Sequence, residues 1–170
     1  QKGLLILIKQ LGPNHPSVAT TYSSIARAHS EKGENDKALE FAEKSLAIEL
    51  KSLGPNHPEV AASYSFVGVL HGYGGDFDRA LEMNKKAMDI LLNNLDQEHP
   101  SVALGYNSLG IAYLQKDEIK KANEYFQKAL IISLKKHGPA HRETETCYSN
   151  IALAHHALNN ISEAIANGGK

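Results

Sequence analysis

The sequence contains one cysteine, no tryptophan and six prolines among its 170 residues. The lone cysteine, Cys147, cannot form a disulfide within the chain, and it fits a reducing compartment, so we expect a cytoplasmic protein. The longest apolar run, residues 4–8, is far shorter than the roughly 18 residues that a membrane-spanning helix needs. No signal-peptide pattern surrounds that run. We therefore expect no insertion into a membrane.

Neither positive nor negative charge is in excess. The chain has 18 basic and 19 acidic residues and a net charge of −1, with both signs spread along the sequence. A nucleic-acid-binding repeat protein needs a basic stripe to neutralise phosphates, so this class of function is excluded. The apolar fraction of 42% and the charged fraction of 22% are typical of a globular protein.

All six prolines lie in four segments that recur at a fixed interval of 42 residues. The first two segments both read Leu-Gly-Pro-Asn-His-Pro, and the later two diverge from that pattern. The four segments are residues 11–16, 53–58, 95–100 and 137–142. A fixed period of 20–50 residues is the signature of a stacked-repeat architecture.

Each period contains two helical patterns and no strand pattern. After each proline segment, apolar and small residues recur at i, i+4, i+7, i+8 and i+11, which is one face of an α-helix. These expected core positions are Val18, Tyr22, Ile25, Ala26 and His29; Val60, Tyr64, Val67, Gly68 and His71; Val102, Tyr106, Leu109, Gly110 and Tyr113; and Thr144, Tyr148, Ile151, Ala152 and His155. The first helix of each repeat is expected to stop at Gly33, Gly75, Asp117 or Asn159, which are residue types that accept a left-handed conformation. A second helix then covers residues 36–53, 78–95 and 118–136.

Several positions of this pattern resemble the tetratricopeptide repeat (TPR) family, whose units carry a small residue in the first helix and an alanine early in the second. The first position holds Ala26, Gly68, Gly110 and Ala152, and the second holds Ala38, Ala80, Ala122 and Ala164. The long repeat, with its Leu-Gly-Pro-Asn-His-Pro junction, is similar to the kinesin light chain type. This resemblance implies an all-α fold, an α-α superhelix (solenoid) of antiparallel helical hairpins in a right-handed stack.

We expect a single repeat array over residues 1–170. Its parts are a partial outer helix at 1–11, repeats at 16–53, 58–95 and 100–137, and a truncated repeat at 142–167. Solenoids normally close with polar capping helices, and neither end has one, so we expect a fragment of a longer array. Apolar surface at Leu4, Leu5 and Ile8 is then expected to be covered by another molecule.

Charge differs between the two helices of a repeat. Residues 60–75 and 102–115 contain no charged side chain, whereas residues 36–51 contain seven. Helices with so little charge are covered on more than one side, so we expect them to form the inner wall of a curved stack. A second stripe on these helices predicts a concave groove for an extended peptide or an amphipathic helix. The alternative is that these residues pack between repeats or against segments missing from the chain.

The predicted groove residues are Ser23, Arg27, Ser65, Val69, Asn107, Ile111, Leu114, Ser149, Asn150 and Leu153. Kinesin light chain-type repeats carry paired asparagines here that bond to the backbone of a bound peptide, and the resemblance places that role on Asn107 and Asn150. A related subfamily clamps chaperone C-termini with Lys and Asn on this face. This chain has Ser, Arg27 or aliphatic residues there, so we do not expect such a clamp.

Chemistry at a reactive centre is not expected. His15, His57, His99 and His141 recur once per repeat, and packed helices lie about 8–10 Å apart, so one residue per repeat cannot converge on a metal ion. We expect these four histidines to bond to a helix start or to pack on the next hairpin. No pair such as Cys147 and His155 has a third orienting group, so no catalytic residue, metal or cofactor is predicted.

The sequence therefore predicts a non-enzymatic scaffold that binds a partner peptide or helix in its groove. The alternative is a structural segment that self-associates through its uncapped apolar ends. The identity of the partner is not encoded in any motif.

Overall fold

The computed structural model describes the backbone of residues 2–168 and the side chains of residues 3–159. Over this range the chain forms eight α-helices and no strand, which confirms the all-α prediction. The helices are α1 (Lys2–Leu11), α2 (Pro16–Glu31), α3 (Asn35–Ser52), α4 (Pro58–Tyr73), α5 (Phe77–Asn94), α6 (Pro100–Gln115), α7 (Ile119–His137) and α8 (Arg142–Gly168). Helices consecutive in sequence pack as pairs: α2 with α3, α4 with α5, and α6 with α7. Helical hairpins are therefore the building unit, as the sequence predicts.

The chain divides into two compact units, Gln1–Asn94 and Leu95–Lys170. The first unit contains α1–α5, and the second contains α6–α8. Within the first unit α3 also packs on α4, and within the second α8 packs on α7 and α6.

The recurring turn histidines cap the helices that follow them. In each case the imidazole Nδ1 accepts a hydrogen bond from the backbone N–H two residues later. The bonds are His15 to Ser17 at 3.1 Å, His57 to Glu59 at 3.2 Å, His99 to Ser101 at 3.1 Å and His141 to Glu143 at 3.3 Å. A helix start leaves its first N–H groups without intrahelical acceptors, so the imidazole satisfies one of them. The expected bond to a helix start is confirmed.

Three of the four predicted helix stops are confirmed. Gly33, Gly75 and Asp117 have φ values of 74°, 80° and 58°, and the chain reverses direction at each. The fourth is wrong, because α8 continues through Asn159 to Gly168. A left-handed residue other than glycine costs about 1–2 kcal/mol. At Asp117 the reversal lets α7 pack on α6, whereas the chain at Asn159 keeps the helical conformation, which carries no such cost. The side chains of the predicted second helix of this repeat, from residue 161 onward, lie outside the described residues.

The continuous α8 also changes the core of the fourth repeat. Tyr148, Ala152 and His155 were expected to be buried, and all three are exposed. No helix folds back over them, because the chain does not turn after Asn159. The residues that α8 does bury are Thr144, Cys147 and Ala154.

Helix α1 packs on α2 through Leu4, Leu7 and Ile8, which contact a cluster of Val18, Ala19 and Ile48. The expectation that another molecule covers Leu4 and Ile8 is therefore wrong for these two residues, which the chain itself half-buries. Their four-residue spacing places both on the face of α1 that contacts α2. The exposed apolar side chains of α1 are Leu5, as expected, and also Ile6 and Leu11.

Candidate peptide-binding surfaces

In the first compact unit, the predicted groove residues lie on α2 and α4. Arg27 and Val69 are exposed, and Ser23 and Ser65 are half-buried. The Arg27 guanidinium lies over the Phe66 ring, 5.9 Å from its centroid, and both residues line a cavity of about 380 Å³. Phe66 was not among the predicted groove residues. Because guanidinium groups pair with carboxylates, this surface of the first unit is suited to an acidic side chain.

In the second compact unit, the predicted groove residues lie on α6 and α8. Ile111 and Leu153 are 39% and 53% exposed, and Leu104 on α6 is 51% exposed. Of the remaining predicted residues, Ser149 is exposed and Leu114 is half-buried. The two helices thus present aliphatic side chains to solvent next to small polar ones.

Two side-chain amides connect α8 to α6. Asn150 Nδ2 donates a hydrogen bond to Asn107 Oδ1 at 2.7 Å, and both side chains are half-buried. This bond uses one donor of Asn150 and the carbonyl of Asn107. The Asn107 amide nitrogen and the Asn150 carbonyl remain as a donor and an acceptor. An extended peptide backbone presents the complementary C=O and N–H groups.

A cavity of about 450 Å³ lies beside this amide pair in the second unit, a volume typical of ligand pockets. Its lining residues are Ala103, Leu104, Asn107, Ser133, His141, Arg142, Glu143, Thr146 and Cys147. Of these only Asn107 belongs to the predicted groove set. Arg142 and Glu143 were not predicted from the sequence. Arg142 ends the fourth proline segment, which differs most from the repeated pattern, and Glu143 follows it. The available signal was the charged pair itself. The other three turns have proline at the first of these two positions and serine or glutamate at the second.

The cavity wall contains the only cysteine of the sequence. Cys147 is buried, and its Sγ lies 4.0 Å from the Ser133 hydroxyl oxygen. Desolvation by burial raises the pKa of the Cys147 thiol above its ordinary value. Thiolate is the nucleophilic form of cysteine, so this side chain is held in its unreactive form at neutral pH.

In the part of the chain that the structure describes, no helix has the length and apolar character needed to cross a membrane.

Comparisons with known proteins agree with the hairpin architecture. The tetratricopeptide repeat family matches residues 1–51, 33–93 and 97–169. Two crystal structures of nearly identical TPR-like repeats, assigned to a kinesin light chain of Podospora anserina, superpose with TM-scores of 0.79 and 0.77. Each is 26% identical to this sequence, and the alignments cover 96% of this chain and 77% of theirs.

The crystal structure of BtubC (BKLC) from P. vanneervenii has a TM-score of 0.77 at 22% identity. That alignment covers 89% of this chain and 61% of BtubC, so the likeness shows the fold alone. No curated protein sequence matches the chain significantly.

Proposed function

The chain belongs to the tetratricopeptide repeat family, and we propose that it is a non-enzymatic scaffold that binds a partner protein. The bound segment is a peptide or helix that lies against α6 and α8. The observation that carries this proposal is the Asn107–Asn150 amide pair, which adjoins exposed aliphatic side chains. We also propose a cytoplasmic location, in keeping with a single, unpaired thiol.

Magnitudes indicate why both kinds of contact are needed. Fully burying an exposed Leu or Ile side chain contributes about 1.5–3 kcal/mol. Ile111 and Leu153 are 39% and 53% exposed, so covering both contributes about 1.5–3 kcal/mol together. Micromolar affinity requires about 8 kcal/mol, before the costs of immobilising the peptide. Hydrogen bonds from the amide pair to the peptide backbone supply part of the difference. They also fix the direction in which the peptide runs.

Substitution of one exposed isoleucine tests the proposal. A peptide library is selected on the wild-type chain, and the affinity of the best peptide is then measured for Ile111→Glu. The matched control is Ile131→Glu, because Ile131 is 66% exposed on the charged helix α7. We expect Ile111→Glu to weaken binding at least tenfold and Ile131→Glu to leave it unchanged. Equal affinity for both variants, with both helical by circular dichroism, would contradict the proposal.

A second candidate function rests on α1. Leu5, Ile6 and Leu11 are exposed on one short helix, and adjacent exposed apolar residues favour association. In this alternative the chain self-associates through α1 and serves as an assembly segment.

A further inference from the structure

The turn between α7 and α8 brings together three side chains of the types that bind transition metals. His137 is the last residue of α7, His141 precedes α8, and Glu143 lies in its first turn. One ligand atom from each lies within 4.8 Å of the other two. We propose that His137, His141 and Glu143 bind a divalent transition-metal ion, with Zn²⁺ the best chemical fit.

The donor set favours zinc over the hard cations. Two imidazoles and one carboxylate suit Zn²⁺, whereas Ca²⁺ and Mg²⁺ prefer oxygen ligands throughout. With bonds of about 2 Å, a tetrahedral ion holds its ligand atoms roughly 3.3 Å apart. His137 Nε2 and Glu143 Oε2 already lie 3.2 Å apart. The His137 and His141 rings stack with their centroids 4.3 Å apart and their planes 17° from parallel. Because an imidazole binds a metal in its ring plane, one ring must turn out of the stack before both can reach the same ion.

The surroundings of Glu143 Oε2 add a second observation. This atom is shielded from solvent, and no described residue donates a hydrogen bond to it in good geometry, although His137 Nε2 is near. Buried polar atoms are normally satisfied, so such an oxygen has room for a further partner, a water molecule or an ion. A metal ion between His137 and Glu143 would satisfy this oxygen.

Metal binding competes with one existing bond. His141 Nδ1 accepts the backbone N–H of Glu143 at 3.3 Å, so the neutral ring carries its proton on Nε2. Coordination through Nδ1 takes up the accepting lone pair. Coordination through Nε2 moves the ring proton to Nδ1, which can then no longer accept a hydrogen bond from the Glu143 N–H. In either case the helix cap is replaced by a bond to the metal.

The other proline turns lack this arrangement because a leucine stands where the fourth turn has His137. The equivalent residues are Leu11, Leu53 and Leu95. The expectation that one histidine per repeat cannot form a metal site still holds for His15, His57 and His99. It overlooked His137, which the tight turn at Gly138 places beside His141.

The site adjoins the proposed peptide surface, since His141 and Glu143 also line the 450 Å³ cavity. Three protein ligands leave one position of a tetrahedral zinc ion for water or for a donor atom of a bound partner.

Zinc titration of the full chain by calorimetry tests the proposal, with zinc chloride as the only ligand. We expect the wild type to bind one equivalent, and His137→Leu and Glu143→Gln each to bind at least tenfold more weakly. His137→Leu installs the residue of the other three turns, so its fold should be retained, and a thermal melt without metal checks this. The control is His99→Asn, which removes a turn imidazole outside the cluster and keeps a good capping residue.

The outcome depends on the comparison between variants. Equal zinc affinity for the wild type and folded His137→Leu would assign the metal to other histidines and overturn the proposal, as would absence of binding by the wild type. Nuclear magnetic resonance of the imidazoles gives a second readout, in which zinc should shift the His137 and His141 ring signals and leave those of His15 unchanged. Unshifted His137 signals at saturating zinc would equally overturn it.

Discussion

Gly110 lies against the ring of Phe126, so closely that a Cβ atom on this glycine would overlap the ring carbons. Phe126 is fully buried, and it fills the space between α6 and α7 that a side chain at position 110 would otherwise occupy. One repeat earlier, a Cβ on Gly68 would lie 3.0 Å from the Asn84 amide nitrogen. Two repeats earlier the equivalent residues are Ala26 and Ala42, both buried. A larger residue on the second helix of a repeat is therefore paired with a smaller residue on the first helix.

This relationship predicts that substitutions at Gly110 and Phe126 have coupled effects on the free energy of unfolding. Gly110→Ala should destabilise the chain by about 1–3 kcal/mol, the usual cost of overpacking, and Phe126→Ala by about 3–5 kcal/mol through a cavity. The double variant should lose less free energy of unfolding than the sum, because the new methyl group enters the vacated space. Urea denaturation of the four chains measures the coupling. Strictly additive losses would show that the two positions do not share one space.

The amide pair makes a prediction about peptide binding. Asn107→Ala removes the acceptor of the Asn150 bond and the donor proposed for the peptide backbone. We expect the affinity of a selected peptide to fall about tenfold, since hydrogen bonds of this kind contribute about 0.5–1.5 kcal/mol and an unpaired group costs more. Asn93→Ala is the matched control, because Asn93 is an exposed asparagine on α5, away from α6 and α8 in sequence. If both variants bind like the wild type, the amides position no peptide.

The repeat allows the proposed metal site to be built a second time. The turn between α3 and α4 already has His57 and Glu59 in the positions of His141 and Glu143, so Leu53 is the one residue that differs among the three ligand positions. Leu53→His should therefore raise the zinc stoichiometry by one equivalent in calorimetry. Leu95→His is the control, because Ser101 stands where the carboxylate is needed. Equal zinc uptake by the two variants would show that the carboxylate is not a ligand.

The exposed face of α1 predicts a change in oligomeric state if the assembly alternative holds. Leu5 and Ile6 are 67% and 56% exposed, so Leu5→Glu with Ile6→Glu should convert self-associated chain to monomer without unfolding it. Leu92→Glu with Ile131→Glu adds the same charge on other exposed apolar positions and serves as the control. Sedimentation velocity measures both. A wild type that stays monomeric at high concentration would eliminate this function.

Cys147 predicts a loss of stability at alkaline pH. Burial raises the pKa of its thiol in the folded state, so the folded chain holds this proton more tightly than the unfolded chain. The contribution is fully present below the thiol's ordinary pKa of about 8.5 and is lost as pH rises through the higher folded value. Between about pH 8 and pH 10 the melting temperature of the wild type should fall more steeply than that of Cys147→Ala. Parallel slopes would indicate that the thiol titrates normally in the fold.

Much of the fold was predictable because its determinants are local. Three of them act within a few residues of sequence. They are the proline at a helix start, the imidazole that caps the backbone N–H two residues later, and the glycines Gly33 and Gly75. The prediction failed at Asn159, where the helix continues. Asp117 reverses the chain without glycine, so the residue type alone did not decide between a turn and a continued helix. It was also wrong about Leu4 and Ile8, because their packing partners on α2 and α3 could not be identified from spacing alone.

The candidate sites were less predictable, because they depend on which helices meet. Spacing placed Asn107 and Asn150 on equivalent helix faces, but the bond between them forms only because α6 and α8 pack side by side. Likewise, Arg27 meets Phe66 through the approach of α2 to α4, which no motif records.

By itself, the sequence determined the helices, their 42-residue repeat and three of the four reversals, since backbone preferences and caps operate over one or two turns of chain. Only the tertiary structure decided that Phe126 occupies the space beside Gly110, that α8 does not reverse, and that His137 meets His141 and Glu143. Those outcomes depend on distances between side chains from different elements, and such distances exist only after the helices have packed.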